Sequence, residues 1–278
     1  MGFILKLNWL LSAYLAPLKN IFRWKLWGPF FIYGILQLIL LLILKSYVYP
    51  FTYMFLSPLV ALLGQGREIY FSHYPGLYIL LPEIFQWGKL LLGIVAEGLL
   101  AGMTAILFLK VYVPGKGRAF QTSEAVSRWP SLLILWGAIT LILLLINWVL
   151  PLLVRGFLAG SPRRIAFFEI VLRLFTVFVY GIFIYALPAM IIFRKSIWGA
   201  LQTSFGFFSK YPIFSFFLAL LPYLLSLPVS YSMAEVDTIV EKFTPELVFY
   251  ILMAGIAIDM LINFLTTGAV VKFLLDQE

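Results

Sequence analysis

The sequence predicts an all-α, polytopic membrane protein with six transmembrane helices. Hydrophobic residues make up 63% of the 278 residues and charged residues only 12%, whereas soluble domains are about half apolar and about a quarter charged. The mean hydropathy is +1.02. No soluble globule of this size has enough interior to bury that much apolar surface, so lipid must be the solvent for most of the chain.

Six stretches are long and apolar enough to cross a bilayer. A hydrocarbon core of about 30 Å takes roughly 20 helical residues, and backbone amides in lipid must find their partners within the segment. We place the spans near 29–49, 84–112, 130–150, 166–193, 212–232 and 247–273. A seventh apolar stretch, Phe51 to Gly64, is too short to span and contains Pro58, which favours a re-entrant or interfacial segment.

The distribution of Lys and Arg predicts that both chain ends face the cytoplasm. Twelve of the 20 basic residues flank the spans on one side, six on the other, and Lys89 and Arg173 fall within spans. Because basic residues accumulate on the cytoplasmic side, we expect both termini to lie in the cytoplasm. An outer cluster of Arg155, Arg163 and Arg164 argues mildly against this orientation. The same topology explains the net charge of +8, and no basic run indicates nucleic-acid binding.

Within one membrane domain, the spans are predicted to form three pseudo-repeated helical hairpins, at residues 4–113, 115–195 and 196–278. Each unit has basic and aromatic residues followed by a proline at the start of a span, where the missing N–H costs nothing. These prolines are Pro29, Pro130 and Pro212, and the second spans align on Ala105, Ala189 and Ala269. The alternative is that any two apolar helices look alike.

An interfacial amphipathic helix is predicted before each hairpin. In the clearest example, at 196–209, apolar side chains recur at helical spacing. Such helices lie in the headgroup layer, where this one would either dock a membrane-protein partner, a second copy or lipid, or simply anchor the next span. The candidate docking residues are Ile197, Trp198, Leu201, Phe205 and Phe208.

Polar side chains within the spans form the candidate functional site, because charge inside a bilayer is costly and is retained mainly for function. The candidates are Glu97, Asp259, Asn263, Lys89, Asn147, Glu169 and Arg173. In one interpretation they line a polar path, with Glu97 or Asp259, the deeper residues, taking up protons or ions. In the other, neighbours on one helix pair and the basic side chains, nearer the span ends, snorkel outward.

Enzyme, metal and cofactor chemistry find little support in the sequence. It has no cysteine and one histidine, His73, which excludes thiolate-ligated metal sites. No Gly-rich phosphate loop, nucleophile elbow or closely spaced carboxylate motif is present. We therefore expect no metal, no cofactor and no enzymatic activity. The weakest alternative is an interfacial enzyme that uses His73 with Glu68.

One segment resembles known membrane-protein families. Residues 198–204, Trp-Gly-Ala-Leu-Gln-Thr-Ser, run on to Lys210-Tyr211-Pro212 and then a span. This Ala-x-x-x-Ser … Pro element is similar to one repeated in uncharacterised bacterial six-span inner-membrane families, including the membrane region attached to some glycerophosphodiester phosphodiesterases. The resemblance covers mainly 196–232, with an echo at 119–150. It implies a bacterial inner membrane and transfers no catalytic residue.

Two functions therefore stand as expectations. The first is a transport-type or lipid-handling role, because deep ionisable groups and repeats often frame a central site. The second is a non-catalytic scaffold or subunit that docks into a larger membrane complex through the interfacial helices.

Overall fold

The computed structural model describes residues 3–61, 73–117, 119–158 and 161–277, and across those ranges every regular element is helical. The helices are α1 (Phe3–Lys19), α2 (Trp24–Lys45), α3 (Pro50–Ala61), α4 (Gly76–Leu92), α5 (Gly98–Tyr112), α6 (Pro114–Gly117), α7 (Ser123–Ser127), α8 (Trp129–Leu158), α9 (Pro162–Phe183), α10 (Ala186–Ile192), α11 (Ile197–Lys210), α12 (Pro212–Ala234), α13 (Val236–Lys242) and α14 (Leu247–Asp276). A 3₁₀ turn, Ser46–Val48, follows α2, and a π-helical segment, Gly93–Glu97, joins α4 to α5.

The prediction of an all-α polytopic protein with six spans is confirmed. Six helical segments of the described chain are long and apolar enough to cross a membrane: Trp24–Lys45, Gly76–Tyr112, Trp129–Gly156, Pro162–Ile192, Pro212–Ala234 and Leu247–Asp276. At most 39% of the most apolar window of each is buried inside the protein. Their remaining apolar surface faces outward, and lipid is the solvent compatible with it.

The seventh apolar stretch is helical over the part that the structure describes. Helix α3 has 12 residues, which is too short to span, and residues 62–64 of the predicted stretch lie outside the described ranges. Whether this segment is re-entrant or interfacial stays a prediction.

The chain divides into two compact units. Unit 1 comprises Met1–Pro29, Ile94–Leu224 and Asn263–Glu278, and unit 2 comprises Phe30–Gly93 and Leu225–Ile262.

In unit 1, an apolar core joins α5, α7, α8, α10 and α11, with Ile106, Leu132 and Ala200 fully buried within it. Small residues allow close approach: a β-carbon built on Gly98 would lie 3.0 Å from the Leu132 carbonyl oxygen. Aromatic stacking adds a second contact region, where the Phe214 and Phe273 rings lie 4.0 Å apart. Stacked rings of this kind stabilise a fold beyond the area they bury.

The three alanines aligned by the proposed repeat, Ala105, Ala189 and Ala269, are all fully buried in unit 1. Their common burial is compatible with the repeat, which stays a prediction. The helices before the hairpins differ in length, because α1 and α11 have 17 and 14 residues whereas α7 has five. The middle hairpin therefore lacks a long amphipathic helix before it among the described residues.

In unit 2, α4 and α14 pack side by side and run in the same direction. Their buried residues share one cluster and repeat every four positions, at Leu77, Leu81 and Phe85 on α4 and at Val248, Leu252 and Ile256 on α14. Near the starts of both helices, Tyr78 interacts electrostatically with Glu246 and Tyr250.

Candidate functional site

Two of the predicted polar residues meet in an ion pair. Lys89 of α4 donates through Nζ to the Asp259 carboxylate of α14, and the two side chains are 34% and 26% exposed. The pair borders the apolar cluster of unit 2, in which Phe85 and Ile256 lie about one turn earlier on the two helices. Each charge thus offsets the desolvation cost of the other, which is the usual arrangement for ionisable groups in a span.

The parallel course of the two helices brings these charges to the same level. Lys89 follows Gly76, the first residue of α4, by 13 positions, and Asp259 follows Leu247, the first residue of α14, by 12. At 1.5 Å per residue, both lie roughly 20 Å from the helix starts. Local spacing on one helix cannot reveal such a pair, because the two residues are 170 positions apart in the chain.

Gln37 of α2 is a site residue that sequence reasoning missed. Its side chain is fully buried in unit 2, and neither Oε1 nor Nε2 has a hydrogen-bond partner among the described residues. An unsatisfied buried amide costs about 1–3 kcal/mol, so such a group calls for an explanation, often a functional one. The sequence signal was present, since Gln37 is the single amide within an otherwise apolar span.

Helix α2 contacts the chain next to both charged residues. Gly34 lies one turn before Gln37 on α2, and a β-carbon added to it would collide with the Met260 thioether. Leu40 lies one turn after Gln37, and its Cδ2 lies 2.9 Å from a β-carbon built on Gly88. Met260 and Gly88 are the immediate neighbours of Asp259 and Lys89. Gln37 therefore belongs to a helix that contacts the residues next to both members of the ion pair.

Glu97 belongs to unit 1 and ends the π-helical segment. Its carboxyl group interacts electrostatically with the Tyr180 phenol. Within this π-helical segment, the Val95 carbonyl accepts a 2.8 Å hydrogen bond from Trp129 Nε1. Because tryptophan at the start of a span is typical of the membrane interface, this contact puts Glu97 closer to an interface than the sequence suggested.

Hydroxyl groups gather elsewhere in unit 1. The Tyr185 hydroxyl lies 2.8 Å from Ser215 Oγ, and Tyr14 of α1 donates to the Leu218 carbonyl oxygen at 2.8 Å. Burial, more than any neighbouring group, raises the pKa of the Tyr14 phenol. That phenol therefore keeps its proton at neutral pH and acts as a donor.

The other predicted polar residues do not join the ion pair. Asn147 donates to Leu143 O at 2.8 Å and to Thr176 Oγ1 at 3.3 Å. Glu169 and Arg173 are both exposed, and within the described chain they form no ion pair with each other in spite of their four-residue spacing. Asn263 is half-buried and lies in unit 1, whereas Asp259 lies in unit 2.

The candidate docking residues of α11 point in two directions. Phe208 is buried, and Ile197 and Leu201 pack against the core of unit 1. Trp198 and Phe205 are 69% and 59% exposed, and they lie on one face because they are seven residues apart. Only these two are placed to meet lipid or a partner.

The alternative enzyme site consists of His73 and Glu68, and only His73 lies within the residues that the structure describes. His73 is exposed, whereas Glu68 lies outside the described residues. Over the ranges that the structure describes, no three His, Asp or Glu side chains come together as a metal site.

Comparison with known proteins gives no match: no protein-family model fits the sequence, and no curated protein or solved structure is significantly similar to it.

Proposed function

We propose that this multi-pass membrane protein has a non-enzymatic, transport-type function in which Lys89, Asp259 and Gln37 form a site that takes up a proton or small cation. The observation that carries the proposal is the Lys89–Asp259 ion pair between two apolar span helices. Ionisable residues within spans are rare and mark ion pathways and proton relays.

Three features favour this site over Glu97. The pair lies roughly 20 Å from the helix starts, whereas Glu97 neighbours a carbonyl bonded to an interfacial tryptophan. Gln37 adds a buried amide that can donate to an ion-binding carboxylate or accept from a cation. Both charged side chains are partly exposed, so the protein does not enclose the carboxylate completely.

The test measures ion flux in proteoliposomes loaded with a pH-sensitive dye and driven by a potassium diffusion potential. We expect wild-type vesicles to acidify faster than protein-free vesicles or, in a separate assay with external sodium in which sodium uptake is measured, to take up more sodium than protein-free vesicles. Asp259→Asn and Gln37→Leu should abolish that flux. Lys89→Met should change its rate or its pH dependence, because it removes the counter-ion of the carboxylate.

Glu169→Gln and Arg173→Met are the matched controls, since they make the same charge changes in another span at residues without an ion pair to each other. The double variant Lys89→Met/Asp259→Asn separates function from stability, because it removes both charges together. Full flux in the double variant would show that the ion pair is a structural contact with no role in transport. Wild-type rates no higher than those of protein-free vesicles with either ion would contradict the proposal.

We also propose that the chain resides in the cell inner membrane with both termini in the cytoplasm. The excess of basic residues on one side of the spans supports this orientation.

A further inference from the structure

A basic cleft of about 460 Å³ lies in unit 1, between the start of α8 and the turn that joins α10 to α11. Its lining includes Arg128, Ser131, Lys195, Ser196 and Trp198. None of these residues belongs to the polar site proposed for transport, so that site does not account for the cleft.

The turn at the rim of the cleft has a defined backbone. Arg194 adopts a left-handed conformation with φ of 50°, its N–H bonds to Ile191 O, and the Lys195 N–H bonds to Met190 O. This is the Schellman arrangement that ends many helices. Arg128 Nη1 donates to the carbonyl oxygens of Met190 and Lys195 at 3.2 and 3.4 Å, which ties the start of α8 to the turn.

Two positive charges of the cleft have only neutral partners. Arg194 is neutralised by Glu124 at 2.9 Å. In contrast, Arg128 bonds to backbone carbonyls, and Lys195 Nζ donates to the Thr203 hydroxyl at 2.7 Å. No carboxylate of the described chain forms an ion pair with either, so the cleft has a net positive charge.

The cleft also lies at the headgroup level of one leaflet. Arg128 directly precedes the span Trp129–Gly156, and Lys195 follows the span Pro162–Ile192 by three residues. The beginning and end of a two-span hairpin lie on the same side of the membrane. Trp198, which is 69% exposed, is a residue typical of this depth.

We propose that this cleft binds the phosphate of an anionic membrane lipid. Arginine presents a planar fork that matches phosphate oxygens, and Lys195 adds a second positive charge to the lining of the cleft. The hydroxyl groups of Ser131 and Ser196 can donate to the same oxygens. Ile197 and Trp198 give the rim apolar surface for the part of the lipid beyond its phosphate. This binding site does not depend on the proposed transport function.

The experiment titrates the purified full-length protein with phosphatidylglycerol and, separately, with phosphatidylcholine, and counts bound lipid by native mass spectrometry. A basic residue near a lipid surface contributes enough that its loss weakens binding about fivefold. We therefore expect Arg128→Gln and Lys195→Gln each to weaken phosphatidylglycerol binding by about that factor, and neither to change phosphatidylcholine binding.

Lys210→Gln is the matched control, because Lys210 lies at the other end of α11, two residues before the span Pro212–Ala234, and does not line the cleft. It should leave phosphatidylglycerol binding unchanged. If Lys210→Gln and Lys195→Gln weaken binding equally, the effect is general surface charge and the proposal fails. Binding of inorganic phosphate alone as tight as that of phosphatidylglycerol would also overturn the lipid assignment, since a free anion would then be sufficient.

Two variants test whether a loss of lipid binding reflects a loss of folding. Arg128→Lys keeps the charge while losing the guanidinium fork, and Lys195→Gln removes a side chain whose bond is to one threonine hydroxyl. A phosphatidylglycerol affinity of Arg128→Lys that lies between those of wild type and Arg128→Gln, with unchanged thermal unfolding in both variants, supports the site. An affinity in the folded Lys195→Gln variant equal to that of wild type would contradict it.

Discussion

Lys89 and Asp259 illustrate how a single residue pair makes charge tolerable among apolar helices. A lone charge at the centre of a span costs about 3 kcal/mol on insertion scales. Removing one partner of a desolvated pair leaves the other without compensation, whereas removing both takes away the cost together with the attraction. The two side chains are about one-third and one-quarter exposed, so the effect should be smaller than that of a fully buried pair.

We expect Asp259→Asn to lower the free energy of unfolding in detergent by about 2 kcal/mol, because it strands the Lys89 ammonium. Lys89→Met/Asp259→Asn should recover most of this loss. Unfolding in denaturing detergent, followed by circular dichroism, measures both. A double variant less stable than Asp259→Asn would show that the two residues do not share one interaction.

The residues of this site were predictable only in part. Charge within a span singled out Lys89 and Asp259, because residue type and position along a span can be read from the sequence. Their partnership was not predictable, because the four-residue rule compares neighbours on one helix and this pair joins two helices distant in sequence. Gln37 was not singled out, although an amide that is buried without a hydrogen-bond partner also costs free energy.

At the scale of the element, α11 shows where an apolar pattern misleads. Its spacing predicts a helix with a hydrophobic face, and the helix forms. The face turned to the protein, however, is built on Ala200, Ser204 and Phe208, all buried. Small residues permit close helix packing, and Ser204 satisfies its hydroxyl on the Ile182 carbonyl oxygen at 2.6 Å. A hydrophobicity pattern scores such small residues low, and for the same reason it predicted Phe208, which is buried, as a docking residue on the outward face.

Two glycines in different helices should respond in opposite ways to the same substitution. A β-carbon on Gly268 of α14 would lie 2.6 Å from Pro17 Cβ and 2.8 Å from Phe108 Cζ, whereas nothing lies within 4 Å of one on Gly206 of α11. Gly268→Ala should therefore destabilise the protein by about 1–3 kcal/mol through overpacking. Gly206→Ala should stabilise it by about 0.5–1 kcal/mol, because alanine favours the helix.

Thermal unfolding of the two alanine variants in one detergent tests this pair of predictions. Equal shifts in melting temperature would mean that the close contact of α14 with α1 and α5 does not limit side-chain size.

At the scale of the whole molecule, composition is a strong predictor because the bilayer imposes one requirement on every span. A helix must be apolar for about 20 residues to cross, and six segments meet that condition in both sequence and structure. The division into two compact units was not predictable, since it depends on which helices touch. Membrane sidedness rests on charge distribution alone.

The cysteine-free sequence allows sidedness to be measured directly with single cysteines. Asp237→Cys lies between the fifth and sixth spans and Ser123→Cys between the second and third, and both positions are exposed. A membrane-impermeant maleimide added to intact cells should label Asp237→Cys, and should reach Ser123→Cys only after permeabilisation. The reverse pattern would invert the orientation. Labelling of both from one side would contradict three crossings between them.

The common direction of α4 and α14 has a consequence for how the chain can be threaded. Successive crossings alternate in direction, so two helices that both begin on one face must be separated by an odd number of passes, here α8, α9 and the span Pro212–Ala234. The Lys89–Asp259 contact can therefore form only when an odd number of the intervening spans has inserted. If one intervening helix failed to insert, α14 would cross the membrane in the opposite direction. Asp259 and Lys89 would then no longer lie at the same distance from helix starts on one face, and neither charge would have its partner.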